Sequence, residues 1–356
     1  MTRALELAEK GRFTAQPNPV VGCVLAVGGA MVGEGFHVRS GENHAEINAL
    51  AVAGSKAMGS TAYVTLEPCN HHGRTPPCSE ALIAAGVSRV VYAMEDPNPQ
   101  VSGSGIATLV AAGVQVDFFD TQGKAETLNP GFNKRMQTGQ PWVRVKLASS
   151  LDGGTALANG DSRWITGEAA REDVHRWRAR SGAIVTGIGT VLVDDPKLTV
   201  RLDEPTATPL RVVLDSHGKM PLGCQLLQQP GPIMQCTGPV ATGLGISRVV
   251  VEQLPVTEAG LDLSALLKRL VKQEVNEVWV EAGSRLATSF LQAGLVDELI
   301  VYVAPVLLGE GAQPLLRMTG LTDMSQRTEL ELVDVCRFGG DVRLTYRPQQ
   351  NRTHLH

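Results

Sequence analysis

The chain has 356 residues, of which 43% are hydrophobic and 19% charged, so it can bury about two domain cores and is not broadly disordered. Its formal net charge of −4 argues against the clustered basic surface with which proteins grip nucleic-acid phosphates. No apolar run reaches the ~18 residues of a membrane span, and the N-terminus lacks the apolar stretch of a secretory signal. We therefore expect a cytoplasmic protein with no membrane or nucleic-acid partner.

The first 139 residues alternate between helical and strand patterns, which predicts a layered α/β domain. Helices are predicted at Thr2–Lys10, Asn43–Ala53, Ser79–Ala85 and Ser104–Ala112. Strands are predicted at Val20–Val27, Ala62–Leu66, Arg89–Met94 and Val114–Phe119.

A second domain is predicted from residue 140, because Thr138-Gly-Gln-Pro141 interrupts the pattern before a new apolar strand. The predicted domains are therefore 1–139 and 140–356. Predicted strands are Trp142–Ala148, Ala183–Val185, Leu210–Leu214, Glu277–Glu281 and Glu298–Pro305, with a hairpin of Leu330–Val335 and Val342–Tyr346. A helix is predicted at Ser284–Ala293, and residues 218–245 are interpreted as loop around short strands.

Three segments of the first domain carry residues with metal chemistry. His44, Cys69 and Cys78 match the three protein ligands of a catalytic zinc site, in which water takes the fourth position. The metal lowers the pKa of that water to about 7. Glu46 lies two residues after His44 at a predicted helix start, so it can exchange protons with the water without being a ligand. We predict one zinc ion per chain.

The spacing departs from the H-x-E and P-C-x-x-C pattern of zinc nucleobase deaminases, since eight residues separate Cys69 from Cys78. Cys78 can still begin the helix at Ser79, where the helix dipole favours a thiolate. His71 and His72 in the inserted loop are alternative ligands, although Glu46 favours its neighbour His44. Each element alone also occurs by chance, and cysteines spread over a long chain are commonly reduced buried thiols.

The first half resembles the cytidine-deaminase-like family, and more narrowly the deaminase domain of the bifunctional riboflavin-biosynthesis deaminase/reductase family. The strings that carry this resemblance are Pro17-Asn-Pro-Val-Val-Gly-Cys23, His44-Ala-Glu46, Thr65 to Cys78 with its Gly-Arg-Thr-Pro-Pro insertion, and Glu95-Asp-Pro-Asn-Pro99. The second half resembles the reductase domain of that family, which has a dihydrofolate-reductase-like α/β fold. Its matching strings are Lys146 to Gly153, Gly160 to Thr166, Gly187 to Val191, Asp194 to Arg201 and Val280 to Gly283. Gly154 departs from the basic residue that often follows Leu-Asp-Gly there.

The resemblance implies site residues in both halves. In the deaminase it implies that Asn18, His71 and Arg74 contact substrate. In the reductase it implies substrate contacts at Ser162, Arg178, Leu198, Arg201 and Glu281. It implies NADPH or pocket contacts at Ala148, Trp164, Thr190, Asp194, Ser216, Gly283 and Ser284, and proton handling by Lys146, Asp194 and Glu281.

The residues themselves say less about the second site. Gly187-Ile-Gly-Thr190 and Gly283-Ser284 each follow a predicted strand, where glycines allow close approach of a phosphate. Neither is a dinucleotide fingerprint, and both are equally ordinary turns. Asp194 could equally be a turn residue before Pro196, and Arg178 could lie on a solvated helix face.

The expected function is zinc-dependent deamination of a phosphorylated diaminopyrimidinone, followed by NADPH-dependent reduction of its ribosyl group, in a homo-oligomer. The alternatives are a transfer-RNA or other nucleic-acid deaminase with a C-terminal binding domain, a relative whose second half only binds a nucleotide, and a dihydrofolate reductase activity. The net charge and the Gly73-Arg-Thr-Pro-Pro77 insertion oppose the first alternative.

Overall fold

The structure is a computed structural model that describes residues 1–70, 77–99 and 101–349. The chain divides into two compact units, Met1–Gln140 and Pro141–His356. No helix in the described part of the chain is long and apolar enough to cross a membrane.

The first unit is a sheet flanked by helices. Its helices are α1 (Thr2–Glu9), α2 (Ala45–Ala53), α3 (Cys78–Ala84), α4 (Ser104–Ala111), α5 (Lys124–Leu128) and α6 (Pro130–Thr138), with a 3-10 turn at Gly54–Ala57. Its strands are β1 (Gly22–Val27), β2 (Ala30–Phe36), β3 (Thr61–Val64), β4 (Arg89–Tyr92) and β5 (Gln115–Phe118). Within the described residues they form one five-stranded sheet in the order β2-β1-β3-β4-β5.

Glycines let helix α2 pack directly on the sheet. A Cβ on Gly33 or Gly35 of β2 would lie 2.4 Å or 2.5 Å from the backbone of Ala49 in α2. On the helix side, Ala45, Ala49 and Ala53 are buried with the apolar core. The small residues on both sides therefore fix the position of α2, and with it the residues at its N-terminus.

The second unit contains a larger sheet. Its helices are α7 (Glu168–Arg180), α8 (Ile188–Asp194), α9 (Gln225–Gln228), α10 (Leu263–Lys272) and α11 (Ser284–Gln292), with a 3-10 turn at Met324–Gln326. Its strands are β6 (Trp142–Ser150), β7 (Gly154–Ala156), β8 (Ala183–Gly187), β9 (Leu210–Leu214), β10 (Ile233–Thr237), β11 (Val249–Gln253), β12 (Val256–Thr257), β13 (Gly260–Leu261), β14 (Glu277–Glu281), β15 (Glu298–Ala304), β16 (Gln313–Pro314), β17 (Leu330–Phe338) and β18 (Asp341–Pro348).

The main sheet of the second unit has the order β11-β10-β9-β8-β14-β6-β15-β18-β17 in the described residues. The strands from β11 to β15 are mutually parallel, and the β17–β18 hairpin adds to β15 in antiparallel orientation. Ligands of open parallel sheets bind outside the carboxyl ends of the strands. In this unit that edge is where β8 ends at Gly187 and β14 ends at Glu281.

The sequence prediction missed some elements for physical reasons. Strand β2 contains two glycines, which are poor strand formers, and these same glycines allow α2 to pack closely on the strand. Helix α7 buries the polar Asp173 and His175 together with small apolar residues, so its apolar period is weak. Strand β10 lies in the segment interpreted as loop around short strands; its bounds were not predicted, although all five of its residues are buried.

Candidate active sites of the two units

The first candidate site forms where α2, α3 and the segment after β3 meet. His44 immediately precedes α2, and Cys78 is the first residue of α3. The Nδ1 atom of His44 lies 3.5 Å from Cys69 Sγ and 3.3 Å from Cys78 Sγ. Bonds of about 2.0 Å to nitrogen and 2.3 Å to sulfur in a tetrahedral zinc site place these atoms roughly 3.5 Å apart. The three side chains therefore fit one zinc ion.

The protonation of the two cysteines reflects their proximity. The pKa of Cys69 is lowered to about 4 by the Cys78 thiol, by His44 and by the backbone N–H of Cys78, which donates to Cys69 Sγ over 3.4 Å. The pKa of Cys78 is raised, because its proton is shared with Cys69 and because it is buried. One thiolate is thus already favoured, and a bound cation would favour the second.

Glu46 lies beside the ligand group and is 3% exposed. Burial, together with the Cys69 charge, raises the pKa of its carboxyl to about 7. A carboxyl that titrates near neutral pH can both accept and donate a proton there. A pKa in this range suits the proton exchange that is predicted for Glu46.

Asn18 is linked to the candidate ligand His44 through His37, a residue that was not among the predicted site residues. Asn18 Nδ2 lies 3.1 Å from His37 Nε2, and His37 Nδ1 lies 3.1 Å from the Asn43 carbonyl oxygen. The His37 ring packs edge-to-face on His44 with 5.3 Å between centroids. His37 follows β2, so the missed strand also concealed this residue. His71, His72 and Arg74 lie outside the described residues.

The second candidate site lies at the carboxyl edge of the parallel strands. Lys146 of β6 pairs in register with Glu281, the last residue of β14. Arg178 of α7 forms an ion pair with Glu281, with 2.7 Å between Nη2 and Oε2. Trp279 Nε1 donates to the same carboxylate over 2.7 Å. Arg178 is therefore not on a solvated helix face, which rules out that alternative.

The charges of this cluster shift one another's protonation. Burial raises the pKa of Glu281, but Arg178, Lys146 and the Trp279 hydrogen bond together lower it to about 2. Burial lowers the pKa of Lys146 despite Glu281 and Asp194, and burial raises the pKa of Asp194. Two groups of opposite charge whose pKa values move towards each other are candidates for proton transfer.

Arg201 lies in the same charged region. Its backbone N–H donates to His175 Nδ1 over 3.3 Å, while Arg178 Nη1 donates to the Thr199 carbonyl oxygen over 2.9 Å. The pKa of Arg201 is lowered by burial and by Arg178. Burial, Arg178 and Arg201 lower the pKa of His175 to about 4. His175 was not among the predicted site residues, because its partners come together only through the fold.

The two remaining predicted substrate residues, Ser162 and Leu198, differ in exposure. Ser162 is half-buried. Leu198 is 2% exposed and packs in the core, with a backbone φ of +50°, so little of this residue is open to a ligand.

The predicted cofactor residues follow successive parallel strands or lie beside them. Thr190 is in α8 after β8, Ser216 follows β9, Gly283 caps α11, and Ala148 is in β6. Ser284 is buried, and its Oγ accepts a hydrogen bond from Arg317 Nε over 3.1 Å. Trp164 is exposed, with the Arg171 guanidinium 4.7 Å from its ring centroid. Arg317 was not among the predicted site residues, because no sequence pattern marks it.

Gly154 is buried in strand β7. Its N–H donates to Ser150 Oγ over 2.9 Å, and a Cβ at this position would lie 2.8 Å from the Ala312 Cβ. These close neighbours thus leave no room for a side chain at residue 154.

Two family models match this chain, one in each of the two units. Residues 1–94 match the family of the cytidine and deoxycytidylate deaminase zinc-binding region, and residues 141–344 match the RibD C-terminal domain. The riboflavin biosynthesis protein RibD of Escherichia coli strain K12 is 50% identical, over 97% of each chain. The chain belongs to the RibD family.

Solved structures agree with the RibD assignment. Acinetobacter baumannii RibD has a TM-score of 0.92 at 46% identity, covering 98% of each chain. A Thermotoga maritima diaminohydroxyphosphoribosylaminopyrimidine deaminase/5-amino-6-(5-phosphoribosylamino)uracil reductase has a TM-score of 0.88 at 33% identity, covering 98% of this chain and 97% of that one. Membership of the RibD family confirms the predicted fold class and the predicted enzyme, a deaminase joined to a reductase in riboflavin biosynthesis, with zinc and NADPH as cofactors.

Proposed function

We propose that the first unit hydrolyses the 2-amino group of 2,5-diamino-6-ribosylamino-4(3H)-pyrimidinone 5′-phosphate, and that the second unit then reduces the ribosyl group to ribityl. The observation that carries the first step is the convergence of His44, Cys69 and Cys78, whose ligand atoms all lie within 4.8 Å of one another, beside the buried Glu46. The Thermotoga relative is named for a deaminase and for a reductase of the uracil compound, and these two names support both the substrate class and the order.

In the first unit, His44, Cys69 and Cys78 would hold zinc. Zinc, when bound, supplies a water whose pKa is lowered to about 7. Glu46 takes the proton of the attacking water on its carboxylate and returns it to the departing amine. A pKa of about 7 suits this role because neither transfer is strongly uphill at neutral pH.

Asn18 is suited to the polar edge of the pyrimidine, because its amide both donates and accepts hydrogen bonds. His37 fixes the orientation of that amide through the 3.1 Å contact. His71 and Arg74 remain predicted substrate contacts.

In the second unit, the residues after the parallel strands would hold NADPH, which supplies the hydride when bound. The N-terminus of α11 at Gly283 and Ser284 suits a phosphate of the cofactor, because free backbone N–H groups point outward there. Thr190 and Ser216 offer hydroxyls at the neighbouring strand ends. Ala148 and Trp164 offer apolar surface.

The charged cluster would hold the ribose and its phosphate and move protons. Arg178 is engaged by Glu281 and therefore orients that carboxylate, whereas Arg201 is the guanidinium better placed for a phosphate. Opening the sugar ring needs a proton on the ring oxygen. Lys146 and Asp194 are the groups whose pKa values are shifted towards that task. Ser162 completes the proposed substrate contacts, and Leu198 remains a predicted one.

Purified protein supplied with zinc and the diaminopyrimidinone substrate tests the order of steps. Ammonia release should precede NADPH consumption, and NADPH should be consumed at once when the deaminated intermediate is given instead. NADPH consumption from the diamino substrate without ammonia release would overturn the order.

A homo-oligomer is also proposed, through the edge strand β17. This strand has no neighbour on its outer side in the described sheet, and Leu332, Val333 and Val335 are exposed along it. An exposed apolar edge strand is a template for pairing with another chain, and an exposed apolar patch often marks an interaction surface. Sedimentation should show an assembly that Val335→Lys weakens, and a monomeric wild type would exclude it.

A cytoplasmic location is proposed because all six cysteines are free. Unpaired cysteines, including two metal ligands, suit a reducing compartment. Fractionation of the producing cells tests this location.

A further inference from the structure

Glu67 stands two residues before the zinc ligand Cys69 and is itself 3% exposed. Its carboxylate is surrounded by backbone N–H groups. Oε2 accepts from Asp96 over 3.2 Å and from Gly103 over 3.0 Å. Oε1 accepts from Gly105 over 3.0 Å and from Ile106 over 3.4 Å. Each oxygen thus has two donors, and the side chain has no freedom to move without losing several of them.

The donors belong to one segment that the proposed function does not otherwise use. Gly103 caps α4, and Gly105 and Ile106 are in its first turn, so Glu67 satisfies N–H groups that a helix leaves open at its start. Asp96 belongs to the Glu95-Asp-Pro-Asn-Pro99 string. Its carboxylate accepts the Asn98 N–H over 2.9 Å, which folds the string into the turn before α4.

The same helix also touches the loop between Glu67 and Cys69. A Cβ on Gly105 would lie 1.9 Å from the Pro68 carbonyl oxygen, so the glycine lets α4 press directly on this loop. Pro68 has a fixed φ, so the chain has one rotatable backbone bond fewer with which to absorb a displacement of Glu67 before Cys69. On its other side, Cys69 is held by α3, because its carbonyl oxygen accepts the Ser79 N–H over 3.2 Å.

We infer that Glu67 is a positioning residue for zinc: its four hydrogen bonds to residues 96–106 hold the Cys69 thiolate at the distance from His44 and Cys78 that the metal requires. The inference rests on the proposed zinc ligands. Residues that orient metal ligands typically change metal affinity by about 10- to 100-fold when they are replaced.

The test is the rate at which the zinc-loaded full-length chain loses its metal to an excess of a chromogenic chelator. Glu67→Gln has the same shape, but its amide group would face two N–H donors. It should release zinc at least about tenfold faster than wild type. Glu67→Asp keeps the charge but has a shorter side chain, so its rate of zinc release should lie between those of wild type and Glu67→Gln. It replaces Glu67→Gln in the test if the glutamine variant does not fold.

Leu109→Ala is the matched control, since Leu109 is a buried residue of the same helix whose apolar side chain cannot hydrogen-bond to Glu67. It should weaken the first unit against urea while releasing zinc at close to the wild-type rate. Wild-type release rates in both Glu67 variants would overturn the inference, as would acceleration in all three variants in proportion to their lost stability. A wild-type chain that binds no zinc would overturn the proposed metal site together with it.

Discussion

The two candidate sites are built in opposite ways. The site of the first unit is a small set of metal-ligating side chains that converge on one position. Two helix starts and one loop hold these side chains. The site of the second unit is a cluster of charges at the edge of a parallel sheet, in which Lys146, Arg178, Glu281 and Asp194 balance one another. The first arrangement depends on distances between ligand atoms, and the second on compensation between buried charges. Substitutions should therefore damage them differently.

The largest effect is expected from Glu46→Gln in the first unit. Loss of proton transfer should lower deaminase turnover by at least about a hundredfold, because general acid–base catalysis contributes about 10² to 10⁴. Zinc content should stay at one per chain, and NADPH oxidation with the deaminated intermediate should be unchanged. Metal analysis together with both assays checks this, and an empty site in the variant would contradict the role of Glu46 as a non-ligand.

Glu281→Gln should damage the second unit in stability as well as in turnover. It leaves Lys146 and Arg178 without their buried counter-charge, which should cost about 3 kcal/mol of unfolding free energy. All four tryptophans, at positions 142, 164, 177 and 279, lie in this unit, so their fluorescence during urea unfolding reports it selectively.

Glu172→Gln is the matched control for that measurement, because its side chain is 63% exposed on the same helix as Arg178. It should shift the urea midpoint little. Equal stability of the Glu281 and Glu172 variants would show that charge balance does not hold the second site together.

A smaller, pH-dependent effect is expected from His175. Its pKa is lowered to about 4 by burial, Arg178 and Arg201, from 6.5 in an unfolded chain. The folded state therefore favours the neutral ring, and this contribution is fully present above pH 6.5 and is lost as the pH falls towards 4. Between pH 7 and pH 4 the second unit should lose about 2 kcal/mol more in wild type than in His175→Gln. Parallel urea curves at several pH values, with identical losses in both proteins, would exclude this role.

The smallest effect is expected from Gly154→Ala. The new methyl group would lie 2.8 Å from the Ala312 Cβ, so the second unit should lose about 1 kcal/mol through overpacking. The KM for NADPH should not change, because the crowding is with Ala312 and Ser150 rather than with predicted cofactor contacts. A raised KM without lost stability would instead assign Gly154 to the cofactor pocket.

The group of candidate zinc ligands could be predicted from the sequence because metal binding depends on residue type. Cysteine, histidine and glutamate at His44, Glu46, Cys69 and Cys78 are rare enough together to indicate a metal, and a helix start places each of two ligands without knowledge of the rest of the fold. The alternating α/β pattern could also be predicted, because most of the buried strands are short apolar runs.

The contacts that hold both sites were decided only by the tertiary structure. Glu67 meets residues 96–106 through the packing of α4, and Arg178 meets Glu281 across more than a hundred residues through strand register and helix packing. The sequence around a charged helix residue does not show whether its side chain faces water or a buried partner. The sequence by itself therefore determined which chemistry the chain contains, and the fold decided which charges are buried together and what keeps the ligands in place.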